Sequence, residues 1–180
     1  MLSFYVHIPY CVRRCGYCDF NTYTPSELQD GATLEIVSGD YIDAVLKELE
    51  AAPKDVVPTI FFGGGTPSLL PPKDLGRVIA AIKARNGITD DCEITLEANP
   101  DSVTQEKLNE LFAVGFNRIS FGMQSSNTEV LKVLDRTHNP DNVRKAVDMA
   151  REAGFESVSV DLIYGAPGES LSDWAATVKE

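Results

Sequence analysis

Three cysteines within eight residues are the part of this sequence best equipped for chemistry. Cys11, Cys15 and Cys18 lie in His7-Ile8-Pro9-Tyr10-Cys11-Val12-Arg13-Arg14-Cys15-Gly16-Tyr17-Cys18-Asp19-Phe20, and one compact loop there can close three thiolates around a metal centre. Gly16 permits a tight turn, and Arg13 and Arg14 can offset part of the anionic charge. Zinc normally takes four ligands, commonly two CxxC or CxxH pairs; here a single CxxC pair has a third Cys four positions upstream, and His7 could complete a tetrahedral site. Three thiolates without a fourth ligand instead suit an iron–sulfur cluster with one iron left open to a substrate or cofactor. Cys92, alone between Asp91 and Glu93, reads as a structural cysteine.

A second set of polar groups lies on segments that should be strands. Short runs rich in β-branched and aromatic residues fall at Phe4–Ile8, 59–62, 93–98, 118–123 and 157–164, and side chains alternate between the two faces of each. On the third, Ile94, Leu96 and Ala98 oppose Glu93, Thr95, Glu97 and Asn99. On the fourth, Ile119, Phe121 and Met123 oppose Ser120, Gly122 and Gln124. On the fifth, Val158, Val160 and Leu162 oppose Ser159, Asp161 and Ile163; on the first, Phe4, Val6 and Ile8 oppose Tyr5 and His7. Glu97, Gln124 and Asp161 fall toward the carboxyl ends of their strands, where barrels place active sites. Parallel strands are normally covered on both sides, so unpaired carboxylates there would be costly to bury. A polar ligand at one end of a barrel accounts for them together; the alternatives are strands bordering solvent or polar groups that bond one another.

The elements that must hold these groups alternate. Helical patterns occupy 41–51 (Tyr41, Val45, Leu46, Leu49), 73–84 (Leu75, Val78, Ile79, Ile82) and 105–114 (Leu108, Leu111, Phe112). Another has Asn139 as N-cap, Pro140 at its first position and Gly154 as its stop, and a last one begins near Leu171. Alternation with short connections means parallel βαβ units in an α/β fold. The long polar stretch 21–39, with Pro25, Gly31 and Gly39, is expected to be a surface loop. Five such units, against about 250 residues for a complete eight-fold barrel, predict a partial (β/α) barrel truncated after about five βα units. The chain of 180 residues is then the N-terminal part of a larger protein.

Composition narrows the class further. With 43% hydrophobic and 24% charged residues the chain is an ordinary globular protein rather than a disordered tail or disulfide scaffold. A net charge of -11 argues against gripping nucleic acid or an anionic membrane. No apolar run approaches the roughly 18 residues of a spanning helix, and residues 1–7 lack the pattern of a secretory signal. The expected location is cytoplasmic, where clustered cysteines serve metals or redox chemistry rather than stable disulfides.

CxxxCxxC directly after a first strand resembles the radical S-adenosylmethionine superfamily. The segments Tyr5-Val6-His7-Ile8-Pro9, Gly63-Gly64-Gly65-Thr66-Pro67-Ser68, Glu97-Ala98-Asn99-Pro100, Arg118-Ile119-Ser120-Phe121-Gly122-Met123-Gln124 and Asp161-Leu162-Ile163-Tyr164-Gly165 look like its branch containing oxygen-independent coproporphyrinogen III oxidase (HemN) and the haem chaperone HemW. The resemblance implies that Cys11, Cys15 and Cys18 hold a 4Fe–4S cluster whose fourth iron is chelated by S-adenosylmethionine, the source of a 5′-deoxyadenosyl radical. It also implies a cofactor site lined by Tyr5, Tyr17, Gly64, Gly65, Thr66, Glu97, Gln124, Arg136 and Asp161; no catalytic residue is assigned. Taken alone, the triple glycine is only a flexible turn, although missing Cβ atoms allow close approach to backbone, and Arg136 is only a surface arginine. Oxidase-type members carry a further Cys two positions after the third ligand, and this sequence has Phe20 there, the chaperone-like pattern. The resemblance therefore favours a haem chaperone that delivers haem to membrane respiratory proteins and draws electrons from a reductant protein. The runners-up are coproporphyrinogen III dehydrogenation in porphyrin biosynthesis and a zinc-stabilised binding module. It further implies that 1–180 is the N-terminal part of the core domain, with a sixth βα unit and a C-terminal domain beyond it.

Overall fold

A computed structural model describes residues 2–28, 34–136 and 138–180. Its strands are β1 (Phe4–Ile8), β2 (Val57–Gly64), β3 (Ile88–Ala98), β4 (Arg118–Gln124) and β5 (Ser157–Leu162), and its helices are α1 (Leu34–Ala51), α2 (Pro72–Asn86), α3 (Gln105–Ala113), α4 (Thr128–Val133), α5 (Pro140–Ala153) and α6 (Leu171–Lys179). The sheet is parallel throughout and runs β1-β2-β3-β4-β5, in the order of synthesis. A doubly wound sheet reverses its strand order at a switch point, and this one does not. Right-handed crossovers that always step the same way put every helix on one side. The other side is left as the concave interior, which is the wall of a partial (β/α) barrel.

Burial follows that division. Ile60, Phe62, Leu96, Ile119 and Phe121 are fully buried beneath the helices, beside Leu75, Ile79, Leu108 and Ala146. Phe62 and Phe116 pack edge to face, with ring centroids 5.0 Å apart. Cys92 belongs to this core, as a structural cysteine should. The interior face is instead laced with polar contacts, many of them made by the residues that alternation assigned to it. Arg118 donates to Thr95 Oγ1 and Ser159 Oγ (both 3.2 Å), Ser159 Oγ donates to Ser120 Oγ (2.9 Å), and Ser120 Oγ donates to Asp161 Oδ1 (3.0 Å). Polar groups therefore do bond one another across the strands, and the chain of bonds ends on a carboxylate near the carboxyl edge.

Helix ends carry the expected chemistry. Asn139 caps α5 through Asp141 N–H, Pro140 opens it, and Gly154 closes it at φ 109°. Ser170 and Asp173 form a reciprocal capping box on α6. α6 is anchored to the turn after β4: Ser126 N–H donates to Thr177 Oγ1 (3.1 Å) and Asn127 Nδ2 donates to Asp173 Oδ1 (2.7 Å).

Two expectations need correction. The stretch 21–39 is not one loop, because α1 begins at Leu34 and carries 34–39, and Pro25–Glu27 forms a short 3-10 turn; residues 29–33 lie outside the described residues. The polarity of Ser38, Gly39 and Asp40 hid the first turns of an amphipathic helix. In addition, 128–133, assigned to no element from sequence, is helix α4, too short to show a hydrophobic period. No helix among the described residues is long and apolar enough to cross a membrane.

Candidate functional site

The cysteine loop leaves β1 and is closed at its base. Cys11 N–H donates to Tyr23 O (3.0 Å) and Tyr23 N–H to Pro9 O (2.6 Å), so Tyr10 and Tyr23 pair as an isolated parallel bridge. Within the loop, Cys18 N–H donates to Cys15 O (3.1 Å). Its far side docks on the segment after α4, where Gly16 N–H donates to Leu134 O (3.3 Å). A Cβ at Gly16 would lie 2.8 Å from Asp135 Oδ2, so a larger residue there would have to displace the Asp135 side chain.

The end of β2 holds the loop from below. Gly65 N–H donates to Ile8 O (2.7 Å) and Thr66 N–H to Tyr10 O (2.8 Å). Gly64 adopts φ +112°, and a Cβ there would lie 2.5 Å from the His7 ring. The glycines are thus demanded by the approach of the chain's own β1 and cysteine loop. This is a different reason from the ligand approach inferred from sequence, although Gly64 and Gly65 also border the cavity.

That cavity, about 420 Å³, opens at the carboxyl ends of the strands. Cys11, Cys15, Cys18, Tyr17, Gly64, Gly65, Thr66, Glu97, Gln124, Arg136 and Asp161 all line it. Tyr5 alone of the predicted site residues is set back from the wall. Its hydroxyl donates to His7 Nδ1 (3.2 Å), while His7 Nε2–H donates to Asn21 O (2.9 Å). Asn99 and Ser120, which sequence reasoning placed on the polar faces without assigning them to the site, also border the cavity, as do Val12 and Phe20 at its lip.

The electrostatics are uneven. Arg13 is paired with Asp135 (2.8 Å) and Arg14 with Glu27 (3.1 Å), so neither is the loop's counter-charge to the thiols. That position belongs to Arg136, whose Nη1 lies 3.5 Å from Cys15 Sγ. Burial pushes the Cys11 thiol up, partly offset by the Thr66 hydroxyl 3.8 Å away. Burial also pushes the Tyr17 phenol up to about 12, with Arg136 opposing the shift. Gln124 sits where β4 loses register with β5 and has φ 64°, a left-handed backbone that is uncommon for a residue with a side chain. Simple alternation did not foresee this turn.

Glu97 accepts from Gly64 N–H (3.2 Å), yet burial first and the Asp161 charge second hold its carboxyl above the ordinary range. The folded protein therefore binds this proton more tightly than the unfolded chain. Glu97 lowers stability as pH rises from its unfolded value near 4.5 through the raised folded value. In Glu97→Gln the amide oxygen keeps the Gly64 bond and cannot ionise. Its urea midpoint is expected to decline less than the parent's between pH 4 and pH 7; parallel declines would show that Glu97 carries no burial penalty.

The donor set favours a cluster over zinc. Among the described residues no three His, Cys, Asp or Glu side chains converge on a single ion. Both ring nitrogens of His7 are engaged, and Cys92 lies in the core, so the fourth zinc ligand weighed from sequence has no candidate. Three thiols on one cavity wall without a fourth protein ligand suit an iron–sulfur cluster with one iron open.

The radical SAM superfamily pattern matches residues 5–180. The chain belongs to that superfamily, whose members use a 4Fe–4S cluster and S-adenosylmethionine. It is 42% identical to the haem chaperone HemW of Mycobacterium tuberculosis over 179 residues, covering 97% of this chain and 44% of that protein. It is 39% identical to HemW of Escherichia coli over 176 residues, with 96% and 45% covered. Among solved structures it is similar to the coproporphyrinogen III oxidase HemN of Escherichia coli, with a TM-score of 0.84, 32% identity, and 98% of this chain and 40% of that one covered. The chain spans less than half the length of these relatives.

Proposed function

We propose that this chain is the N-terminal part of the core domain of a haem chaperone of the HemW type, with a sixth βα unit and a C-terminal domain in the remainder. Cys11, Cys15 and Cys18 would hold the cluster, and the cavity beside them would hold S-adenosylmethionine. A cluster held there would supply electrons for reductive chemistry at the cofactor, while the chain's own residues bind and orient it. Gly64, Gly65 and Thr66 offer backbone at the rim, Tyr17 and Arg136 flank the thiols, and Gln124 and Asp161 form the far wall. S-adenosylmethionine carries an ammonium and a sulfonium, and a half-buried carboxylate such as Glu97 regains favourable interaction when it meets a cation. Tyr5, bonded to His7, stands beside Glu97 over Gly63.

The observation that carries the chaperone reading is the 42% identity to a haem chaperone, together with Phe20 where the oxidase pattern has a cysteine. Haem is then the cargo, membrane respiratory proteins the recipients, a reductant protein the electron donor, and the cytoplasm the location. The likeness to HemN favours coproporphyrinogen III dehydrogenation as the second reading. The test is anaerobic iron–sulfide reconstitution followed by EPR of the dithionite-reduced protein with and without S-adenosylmethionine, then haem titration and incubation with coproporphyrinogen III. A cofactor-perturbed 4Fe–4S signal with haem binding and no decarboxylation is the expected result. Decarboxylation would establish the second reading, and stoichiometric zinc with no such signal would overturn both.

A further inference from the structure

We propose that Arg136 donates a hydrogen bond to the Cys15 thiolate that raises the reduction potential of the cluster held there, and that His138 is the positioning residue that aims it. The inference rests on the cluster reading above and gives Arg136 a task beyond lining the cofactor cavity.

The guanidinium is fixed at three atoms. Nη2 donates to Gly122 O (2.8 Å), Nε donates to His138 Nδ1 (3.3 Å), and Nη1 is left facing Cys15 Sγ at 3.5 Å. His138 is 4% exposed and is itself held, its Nε2–H donating to Met123 O (2.9 Å). That bond fixes the tautomer in which Nδ1 accepts. Burial and the neighbouring Arg136 charge both disfavour the imidazolium, so the acceptor persists at neutral pH. Gly122 makes room, since a Cβ there would lie 3.3 Å from Arg136 Nη2. Cys15 thus receives a charged donor, whereas Cys11 faces the neutral Thr66 hydroxyl at 3.8 Å. A cluster gains negative charge on reduction, and hydrogen bonds to its sulfurs favour the reduced form; charged donors make the stronger bonds.

The test is an anaerobic EPR redox titration of the reconstituted parent, His138→Leu, His138→Asn and Arg136→Lys, with iron and sulfide measured per chain. In His138→Leu the reduced-to-oxidised ratio at a fixed poise is expected to fall about tenfold, which is about 59 mV for a one-electron couple. Arg136→Lys, which keeps the charge but loses the fork, is expected to fall in the same direction. His138→Asn supplies an acceptor where Nδ1 sits and should return the ratio most of the way to the parent's. Unchanged potentials in His138→Leu and Arg136→Lys at full cluster content would overturn the inference. Should His138→Leu hold no cluster, Arg136→Lys decides by the same criterion. A parent that takes up no 4Fe–4S cluster would sink the cluster reading and this inference with it; a loaded parent with unmoved variants sinks this inference alone.

Discussion

Replacing Cys15 with alanine will remove the reduced-cluster EPR signal and bring bound iron down to background, while the polypeptide keeps its fold. Cys15 is the middle thiol of the three, and it is partly exposed on a loop rather than packed in the core. Its backbone carbonyl, which accepts from Cys18 N–H, survives the change. Without metal, the variant's denaturant midpoint should match that of the metal-free parent within about 0.5 kcal/mol, the usual range for a change outside the core. Iron content and EPR amplitude after identical reconstitution are the measurements. A variant that retains a full cluster would overturn the assignment of Cys15 as a ligand.

Alanine at Gly65 is expected to act in the opposite way, through the polypeptide first. Its Cβ would lie 2.6 Å from Tyr10 O and 2.9 Å from Ile8 O. Both are backbone atoms at the root of the cysteine loop, with no rotamer to yield. The added methyl must push β1 and the loop off the end of β2, against the Gly65–Ile8 and Thr66–Tyr10 hydrogen bonds. Overpacking of this kind costs about 1–3 kcal/mol, and the displaced loop should take up cluster poorly. Gly39 is the internal comparison: it lies in α1 with nothing within 4 Å of a Cβ, so Gly39→Ala should stabilise by about 0.5–1 kcal/mol. Denaturant midpoints of the two metal-free variants should therefore move in opposite directions; a Gly65→Ala midpoint at or above the parent's would refute the backbone clash.

The two-faced strands were legible because a parallel sheet with helices on one side needs a continuous apolar row there, and Ile94-Leu96-Ala98 and Ile119-Phe121-Met123 supply it at period two. Glu97 and Asp161 were legible for the same reason, because polar groups at strand ends break that row; the cysteines were legible from their own spacing on one loop. What stayed hidden depends on contacts distant in sequence. Nothing near Arg13 announces that Asp135 will take its charge, nor does anything near Cys15 announce Arg136, 121 positions on. A lone histidine such as His138 gives no sign in sequence of its partners; Met123 O and the Arg136 guanidinium supply them only in the folded chain. The left-handed Gln124 was masked by a strand pattern that stays regular up to Met123, and the register break that turns it is visible only against β5.

A sheet whose strands are laid down in chain order has a consequence for manufacture. As the polypeptide leaves the ribosome, each new strand has its neighbour already waiting, so the wall can grow from one side without holding any strand in reserve. The cysteine loop emerges first, but its docking partner at Leu134 and Asp135 comes more than a hundred residues later. Asp161, on β5, comes later still. During that interval the three thiols are tethered only at the loop's base and open to solvent and oxidants. Speed of elongation between the third cysteine and α4 thus sets how long those thiols stay undocked.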